Sequence, residues 1–493
     1  MPSSTVWTNS RPDQVVLLIR AARETGIVTA MTESRATTLP LGFPGPAELA
    51  AATPPERDRA VDVMRITALI GVVTGHTVMA TSVIRDGVLI WDNLLTTSTA
   101  LQALTWIFQI MPLFFFAGAA ACVTSWRPDA DWGAWLMKRC LRLFRPVFYY
   151  LAFWACALTV LHPVLPRHVY EPVAGVSIQL LWFLGAYVLV LAAMPLLYRV
   201  TTPARLAAGV AGIYAGIAVV DVLRVHWPAL APLGYLNLAV WLIPAMFGVA
   251  YRRGLLARRA PLAVAAALLA VNVGLLWFGP YQPSMVGTGA DRLSNTSPPS
   301  LLLAGHAIVM SALAIWAAPA ITRWAQRPRV WWLTAIGNSG AMTLYLWHIP
   351  VLLGVHLLFD GLGLPRYPGL PHFVALSVVQ LLAVAAAVAV AFVVLRPLEN
   401  TPLPGWDAPV AVAPGRSAAV GALMMVAGAA TLVGIKWGLK DDGLICVAVL
   451  LTALVGARVL ASQPSACRRD SQLISRPTRI SNSTKTISRN AAL

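Results

Sequence analysis

The first strongly apolar segment of the chain contains two ionisable residues, Arg65 and His76. Ionisable side chains are costly inside a membrane-spanning helix and are functional candidates there by default. The spacing corresponds to about three helical turns, so the two side chains lie on nearly the same face, about 16 Å apart along the axis. A neutral imidazole can take a proton from a hydroxyl. The pattern therefore predicts a site with His76 as the general base and Arg65 within reach of the same ligand.

A simpler interpretation of the same residues is structural. Arg65 could extend to the lipid headgroups, and His76 could make a hydrogen bond between helices. For Arg65 alone the structural interpretation is favoured, whereas for the pair on one face function is favoured. Asp62, one turn before Arg65, either orients it or lies at the membrane interface.

A second group of candidates is basic and follows the second apolar segment. Arg139, Arg142 and Arg145 recur at every third position, so on a helical segment they share one side. Guanidinium groups bind phosphate oxygens in a bidentate way and stay charged. The three arginines therefore predict a binding site for a polyphosphate. The alternative, that these charges only record membrane topology, stays open.

Composition places these candidates in a membrane protein. Hydrophobic residues make up 58% of the chain and charged residues 12%, with a mean hydropathy of +0.70. A soluble domain has about 25% charged residues, and a helix needs about 20 apolar residues to cross a bilayer. Such stretches recur along the chain and predict an all-α integral membrane protein, a polytopic helical bundle. The predicted spans begin near Ala60, Leu101, Phe144, Ser177, Leu206, Leu233, Pro261, Ser300, Trp331, His372, Ser417 and Leu444.

The distribution of basic residues predicts the orientation of these spans. The even-numbered connections hold Arg127, Lys138, Arg139, Arg142, Arg145, Arg199, Arg205, Arg252, Arg253, Arg258, Arg259, Arg323, Arg327, Arg329, Arg396 and Arg416. The odd-numbered connections hold only Arg85, Arg167, Arg224, Arg292, Arg366, Lys436 and Lys440. Cytoplasmic connections carry the excess of basic residues, so we expect both termini in the cytoplasm of a multi-pass protein of the cell membrane.

The net charge of +17 does not indicate a nucleic-acid partner, because the basic residues lie in short connections and in the tail. Membrane topology and binding to anionic lipid explain the excess of basic residues.

The five cysteines show no paired spacing, so the sequence predicts neither a disulfide framework nor a metal site. Residues 1–55 are polar and predict a disordered cytoplasmic lead, and residues 462–493 predict a flexible basic tail.

Several motifs together resemble the acyltransferase-3 family of integral membrane O-acyltransferases. The Arg65 to His76 spacing comes first, then Met-Pro-Leu-Phe-Phe-Phe-Ala-Gly at 111–118, and then Arg142-x-x-Arg145. Leu-Trp-Phe-Leu at 181–184, Gly-Asn-Ser at 337–339 and Tyr-Leu-Trp-His-Ile-Pro at 345–350 follow in the same order. The resemblance covers about residues 59–399. Glu399 departs from the pattern, because it is offset from Pro397.

The resemblance implies a ten-span acyltransferase domain over residues 56–400, with residues 401–461 forming a linker and two further transmembrane helices. It implies transfer of an acyl group, expected to be acetyl, from cytoplasmic acyl-coenzyme A to a hydroxyl of a carbohydrate or lipid-linked acceptor. No permanently bound cofactor is expected. In that assignment His76 is catalytic with Arg65, and Arg142 and Arg145 match the double-arginine motif. With Arg139 they are expected to bind the coenzyme.

Three further residues are candidates for contact with the acceptor: Trp182, Tyr345 and His348. Large aromatic residues in a helical bundle are more often packing residues, and a His near interfacial aromatics is commonly an anchor.

Two other function classes compete with the acyltransferase. A transporter or flippase for a polar lipid or glycan would also have many spans and buried charge, but such carriers tend to show paired halves, and no internal symmetry is evident. A purely structural or signalling component would leave the pairing of Arg65 with His76 unexplained.

The predicted orientation can be tested with single cysteines in a background without the native ones. A membrane-impermeant thiol reagent added to intact cells should label Arg85→Cys and should label Lys138→Cys only after permeabilisation. Labelling of the 139–145 segment from outside would invert the topology, and the predicted coenzyme site would fall with it.

Overall fold

A computed structural model describes residues 44–257, 259–287, 292–413 and 415–462. Most of the predicted lead and nearly all of the predicted tail lie outside these residues. Of the first of two compact units, which ends at Pro55, the structure describes the helix Pro46–Ala51. The spans all belong to the second unit, which begins at Glu56.

The described residues contain twelve helical segments long and apolar enough to cross a membrane, and the predicted all-α membrane fold is confirmed. Spans 1 to 12 are Arg59–Met79, Thr99–Val123, Trp132–Leu161, Arg167–Ala192, Pro203–His226, Pro228–Arg252, Ala260–Phe278, Leu301–Ala325, Ala341–Gly361, Phe373–Asn400, Ser417–Gly434 and Asp442–Leu460. We call the side of the bundle where span 1 begins proximal and the side where it ends distal.

Three spans are interrupted. Span 2 consists of Thr99–Phe108 and Met111–Val123, and span 4 of Arg167–Val176 and Leu181–Ala192. Span 6 begins as the 3₁₀ helix Pro228–Trp241 and continues as Leu242–Arg252. Proline in the first turn of a helix cannot donate a backbone hydrogen bond, which explains the break before Met111. Shorter helices are Leu94–Thr96, Met194–Leu197 and Pro328–Ser339.

Span 3 begins twelve residues earlier than the sequence predicted, at Trp132 instead of Phe144. The Asp131 carboxylate accepts the Ala134 backbone N–H at 2.7 Å and so caps the helix there. The basic cluster therefore lies inside span 3 and not in a connection.

The predicted ninth span also divides differently. Trp331 and the Gly-Asn-Ser motif belong to the separate helix Pro328–Ser339, and span 9 begins only after Gly340.

A β-hairpin that was not predicted from the sequence directly follows span 1. Its strands, Ala80–Arg85 and Val88–Asn93, pair antiparallel. Asp86 and Gly87 form the turn with φ of 51° and 76°, the left-handed values that a two-residue hairpin of this type requires.

Span 1 is anchored by charged side chains at both ends. Asp58 accepts the Val61 N–H at 3.1 Å as the cap of the helix and also accepts Arg252 at 2.9 Å. At the distal end, buried Arg366 donates to the backbone carbonyls of Thr77, Val78 and Ala80. These are carbonyls that the end of a helix leaves without partners, so Arg366 fixes the turn that follows His76.

Span 1 packs against the second half of span 2, against span 8, against the helix Pro328–Ser339 and against span 9. It is thus the central helix of the site. Spans 11 and 12 pack against each other, and span 11 also packs against spans 3 and 4.

Replacing Arg366 should therefore destabilise the fold. We expect Arg366→Ala to lower the free energy of unfolding by about 3 kcal/mol, because the carbonyls at the end of span 1 lose a charged donor. The measurement is the midpoint of thermal unfolding in detergent. Arg167→Ala, at an 85% exposed side chain on the same side, should change the free energy by about 0.5 kcal/mol or less. Equal midpoints for the two variants would contradict the role of Arg366.

Candidate active site

His76 of span 1 and His348 of span 9 form a pair. Nδ1 of His76 lies 3.0 Å from Nε2 of His348, and the two ring planes are 11° apart. His348 is buried, with 1% of its surface exposed, whereas His76 is partly exposed. The predicted catalytic residue and one of the predicted acceptor contacts are therefore in direct contact, which the sequence did not predict.

Hydrogen-bond donors and acceptors assign the protons in this pair. Nδ1 of His348 lies 3.0 Å from the Leu344 carbonyl oxygen, which can only accept, so Nδ1 carries the proton. In neutral His348, Nε2 is then an acceptor, and the proton between the rings belongs to Nδ1 of His76. Nε2 of His76 is left with a free lone pair, and no group in the described part of the chain bonds to it.

Glu399 fixes the start of the helix that carries His348. Its carboxylate accepts the backbone N–H of Thr343 at 2.8 Å, the Thr343 hydroxyl at 2.8 Å and the N–H of Met342 at 3.3 Å. A carboxylate at a helix N-terminus satisfies free N–H groups and complements the helix dipole. Gly340, the residue before span 9, has no side chain to do this, and Glu399 of span 10 supplies the cap.

Arg65 lies on the proximal side, where it interacts electrostatically with Cys122, Tyr187 and Glu399. Its guanidinium makes no hydrogen bond or ion pair with the residues that the structure describes. The Tyr187 hydroxyl is likewise without a bonding partner there, and both side chains are partly exposed. A cation and a phenol without protein partners on the same side are available to a ligand.

The three arginines of span 3 lie in three different environments. Arg139 donates to the Ser125 hydroxyl and lies 5.8 Å from the centre of the Trp135 ring. Arg142 is exposed and makes no hydrogen bond in the described part of the chain. Arg145 is 8% exposed and is bound by Asp407. Of the three, Arg142 is the one whose donors are free for an anion.

Trp182 and Tyr345 are packed among aromatic rings. The Trp182 ring lies 5.8 Å from that of Trp241, and Tyr345 lies 5.5 Å from Phe183. The Tyr345 hydroxyl donates to the Leu180 carbonyl, so it ties span 9 to the break in span 4.

A cavity of about 220 Å³ lies beside span 1, and neither His76 nor His348 is among its lining residues. Spans 1, 9 and 10 line it, and its walls include Val73 and Thr77 of span 1, Leu344 of span 9 and Val384 of span 10. Thr77 follows His76 in sequence, and Leu344 accepts the bond from His348. The walls are mainly aliphatic, so the cavity suits an apolar group.

Sequence reasoning missed a second polar cluster, at the distal end of span 9. The Ser82 hydroxyl lies 2.8 Å from Nδ1 of His356 and donates to Asp360 at 2.7 Å. Ser82 and His356 are buried. Only the spacing of His348 and His356 along one helix could have indicated this cluster.

Tyr187 was also not predicted as a functional residue, because no motif distinguished it from the aromatic residues around it. Within the described ranges, no group of three or more His, Cys, Asp or Glu residues could hold a metal ion.

The place of Tyr187 depends on Gly118, which lies in the Phe-rich motif of span 2. A Cβ at 118 would lie 2.5 Å from the Tyr187 ring and hydroxyl. We expect Gly118→Ala to displace the ring and to lower the free energy of unfolding by about 1–3 kcal/mol. A matched control is Gly212→Ala in span 5, where a Cβ meets nothing within 4 Å and helix propensity improves by about 1 kcal/mol. The measurement is the midpoint of thermal unfolding of both variants. A Gly118→Ala protein as stable as the control would contradict the contact between residue 118 and Tyr187.

One comparison with known proteins gives a match. A family model described as an acyltransferase domain matches residues 58–396, which include the histidine pair, the span 3 arginines, spans 1 to 9 and most of span 10. No curated protein and no solved structure matches the chain. The match covers more than half of the chain, and it ends just before Glu399 and the linker to span 11. The chain is a multi-pass membrane protein and belongs to the acyltransferase-3 family.

Proposed function

We propose that the protein transfers an acetyl group from acetyl-coenzyme A to a hydroxyl of a carbohydrate or lipid-linked acceptor, with His76 as the general base. The observation that carries the proposal is the chain of bonds from the Leu344 carbonyl through His348 to His76. This chain leaves a lone pair on Nε2 of a partly exposed imidazole, and that is what a general base for a hydroxyl needs. His348 acts as a positioning residue that fixes the tautomer, as a carboxylate does in a catalytic triad.

The acceptor oxygen attacks the thioester carbonyl carbon while its proton passes to Nε2 of His76. The carbon–sulfur bond breaks, a carbon–oxygen ester bond has formed, and the proton returns from His76 to the departing thiolate. No net proton is released, so one neutral imidazole completes the cycle.

The proximal arginines would bind the donor. The free donors of Arg142 and Arg65 suit phosphate oxygens, and Arg139 lies on the same helix as Arg142. Arg65 is about 16 Å from His76 along span 1, a distance that the extended arm of the coenzyme has to cover. In this proposal the proximal side and both termini face the cytoplasm of the cell membrane.

The test is transfer of label from radiolabelled acetyl-coenzyme A to candidate acceptors by purified protein in liposomes. We expect His76→Ala to lower kcat by at least about 100-fold, the usual contribution of a general base. Arg142→Ala should raise KM for the donor about tenfold, the cost of one charge-assisted hydrogen bond. His168→Ala and Arg199→Ala, at exposed positions outside the site, are the matched controls and should leave both constants unchanged.

Two variants test the positioning role of His348 in the same assay. His348→Leu removes the acceptor for His76 and should lower kcat at least about tenfold, because the imidazole can then adopt the wrong tautomer. His348→Gln keeps an acceptor oxygen and should recover part of the loss. Liposomes that move an acceptor across the bilayer without transferring label would instead support a carrier and refute the enzyme.

A further inference from the structure

The match to the family model ends at residue 396, but the chain continues through a linker, residues 401–416, to spans 11 and 12. Span 11 packs against spans 3 and 4, and span 12 packs against span 11. Gly185 of span 4 crosses Gly428 of span 11 so closely that a Cβ at 185 would lie 2.4 Å from the Gly428 carbonyl oxygen. The Ser417 hydroxyl accepts the Gly133 N–H of span 3 at 2.9 Å. Small residues allow such close helix contact in a membrane.

Span 12 holds the linker by one buried arginine. Arg458, which is 7% exposed, donates to the carbonyls of Gly405 at 3.0 Å and Ala408 at 2.9 Å. Between these two carbonyls lies Asp407. The linker is also fixed to span 3, because the Trp406 indole donates to the Leu141 carbonyl at 2.8 Å. Asp407 is thus held in place from both sides.

Asp407 binds Arg145 with both carboxylate oxygens. Nε of Arg145 donates to Oδ2 at 2.7 Å, and Nη2 donates to Oδ1. Burial acts to raise the pKa of Asp407, but the hydrogen bonds from Arg145 and from the Leu403 N–H hold this pKa below its ordinary value. The carboxylate is therefore ionised, and it neutralises the Arg145 charge inside the protein.

Arg145 connects Asp407 to the helix that carries His348. Its Nη1 donates to the Glu399 backbone carbonyl at 2.9 Å. The Glu399 side chain caps span 9 at Met342 and Thr343, and span 9 carries His348 less than two turns later. Hydrogen bonds and the short chain segments between them therefore connect Arg458 to His76.

We propose that residues 401–461 position His76 and His348, with Asp407 and Arg145 as positioning residues that fix the start of span 9 through Glu399. Arg142 is then the phosphate ligand of the double-arginine motif, and Arg145 is a structural member of it. The inference rests on the proposed function, because acyl transfer is one of its two readouts.

The kinetic experiment measures kcat and KM for acetyl-coenzyme A in Asp407→Ala, Arg145→Ala and the double variant. Each single change should lower kcat on the order of tenfold and leave KM within about twofold, and the double variant should be no worse than either single one. Asp407→Glu should recover part of the rate. The exposed pair of Arg167 and Glu171 supplies a control, Glu171→Ala, which should match the wild type.

Three kinetic outcomes would overturn the inference. A lower KM with unchanged kcat in Asp407→Ala would show that Asp407 only masks a phosphate-binding Arg145. Unchanged constants would show that the linker has no part in the reaction. Independent, multiplying losses in the double variant would show that Asp407 and Arg145 act separately.

The second readout is backbone hydrogen exchange, which needs no activity. Asp407→Ala and Arg458→Ala should each speed exchange of the first turn of span 9 by about tenfold, because the Glu399 cap at Met342 and Thr343 loosens. The distal half of span 9 should exchange as in the wild type and serves as the internal control. Unchanged exchange at the first turn would refute the inference. A wild type that transfers no acyl group would refute the proposed function alone.

Discussion

The hydrogen bond between His76 and His348 joins span 1 to span 9, and the site depends on the relative position of these two helices. A hydrogen bond tolerates only a few tenths of an ångström in length. Each helix must therefore be fixed along its axis and in rotation. The structure does this with polar contacts at helix ends: Asp58 and Arg366 on span 1, and Glu399 on span 9. Asn338 adds a link, because its amide donates to the Asp62 carbonyl of span 1 at 2.9 Å.

The arginines of the bundle fall into two groups, according to whether the guanidinium has a hydrogen-bond partner within the described part of the protein. Arg366 and Arg458 donate to backbone carbonyls, and Arg145 is neutralised by Asp407. A buried guanidinium that lost these partners would be costly, so these residues stabilise one arrangement of the chain. Arg65 and Arg142 have no such partner in the described part of the protein. A guanidinium that is accessible and has no hydrogen-bond partner can bind an anion without first breaking a hydrogen bond.

Hydropathy predicted the spans because each one must be apolar over about 20 residues whatever its neighbours are. It misplaced the start of span 3, since the capping residue Asp131 and the tryptophans after it extend the helix through a basic stretch. The hairpin after span 1 was predictable from Asp86-Gly87, a turn signal that the surrounding apolar residues obscured. The spacing of Arg65 and His76 indicated one face of one helix, because helical periodicity is a local property.

The partners of these residues could not be predicted in the same way. His76 and His348 are 272 positions apart, and Arg145 and Asp407 are 262 apart. Which side chains meet depends on how each helix is rotated about its axis, and local periodicity does not report that rotation. The motif at 345–350 indicated His348 as a functional residue but suggested the acceptor as its partner. In the structure His348 is buried, and its Nε2 lies 3.0 Å from Nδ1 of His76, the proposed base.

The environment explains why polar contacts do so much of this positioning. Lipid is as apolar as a leucine side chain, so burial of apolar surface drives helix association only weakly in a membrane, and close packing and hydrogen bonds must fix the geometry. Span 10 is poorly buried along its length, yet its end supplies Glu399, the cap on span 9. A helix with little packing of its own can hold such a cap in place only if something else holds the helix end. Arg145 does this by binding the Glu399 carbonyl, and Asp407 in turn holds Arg145.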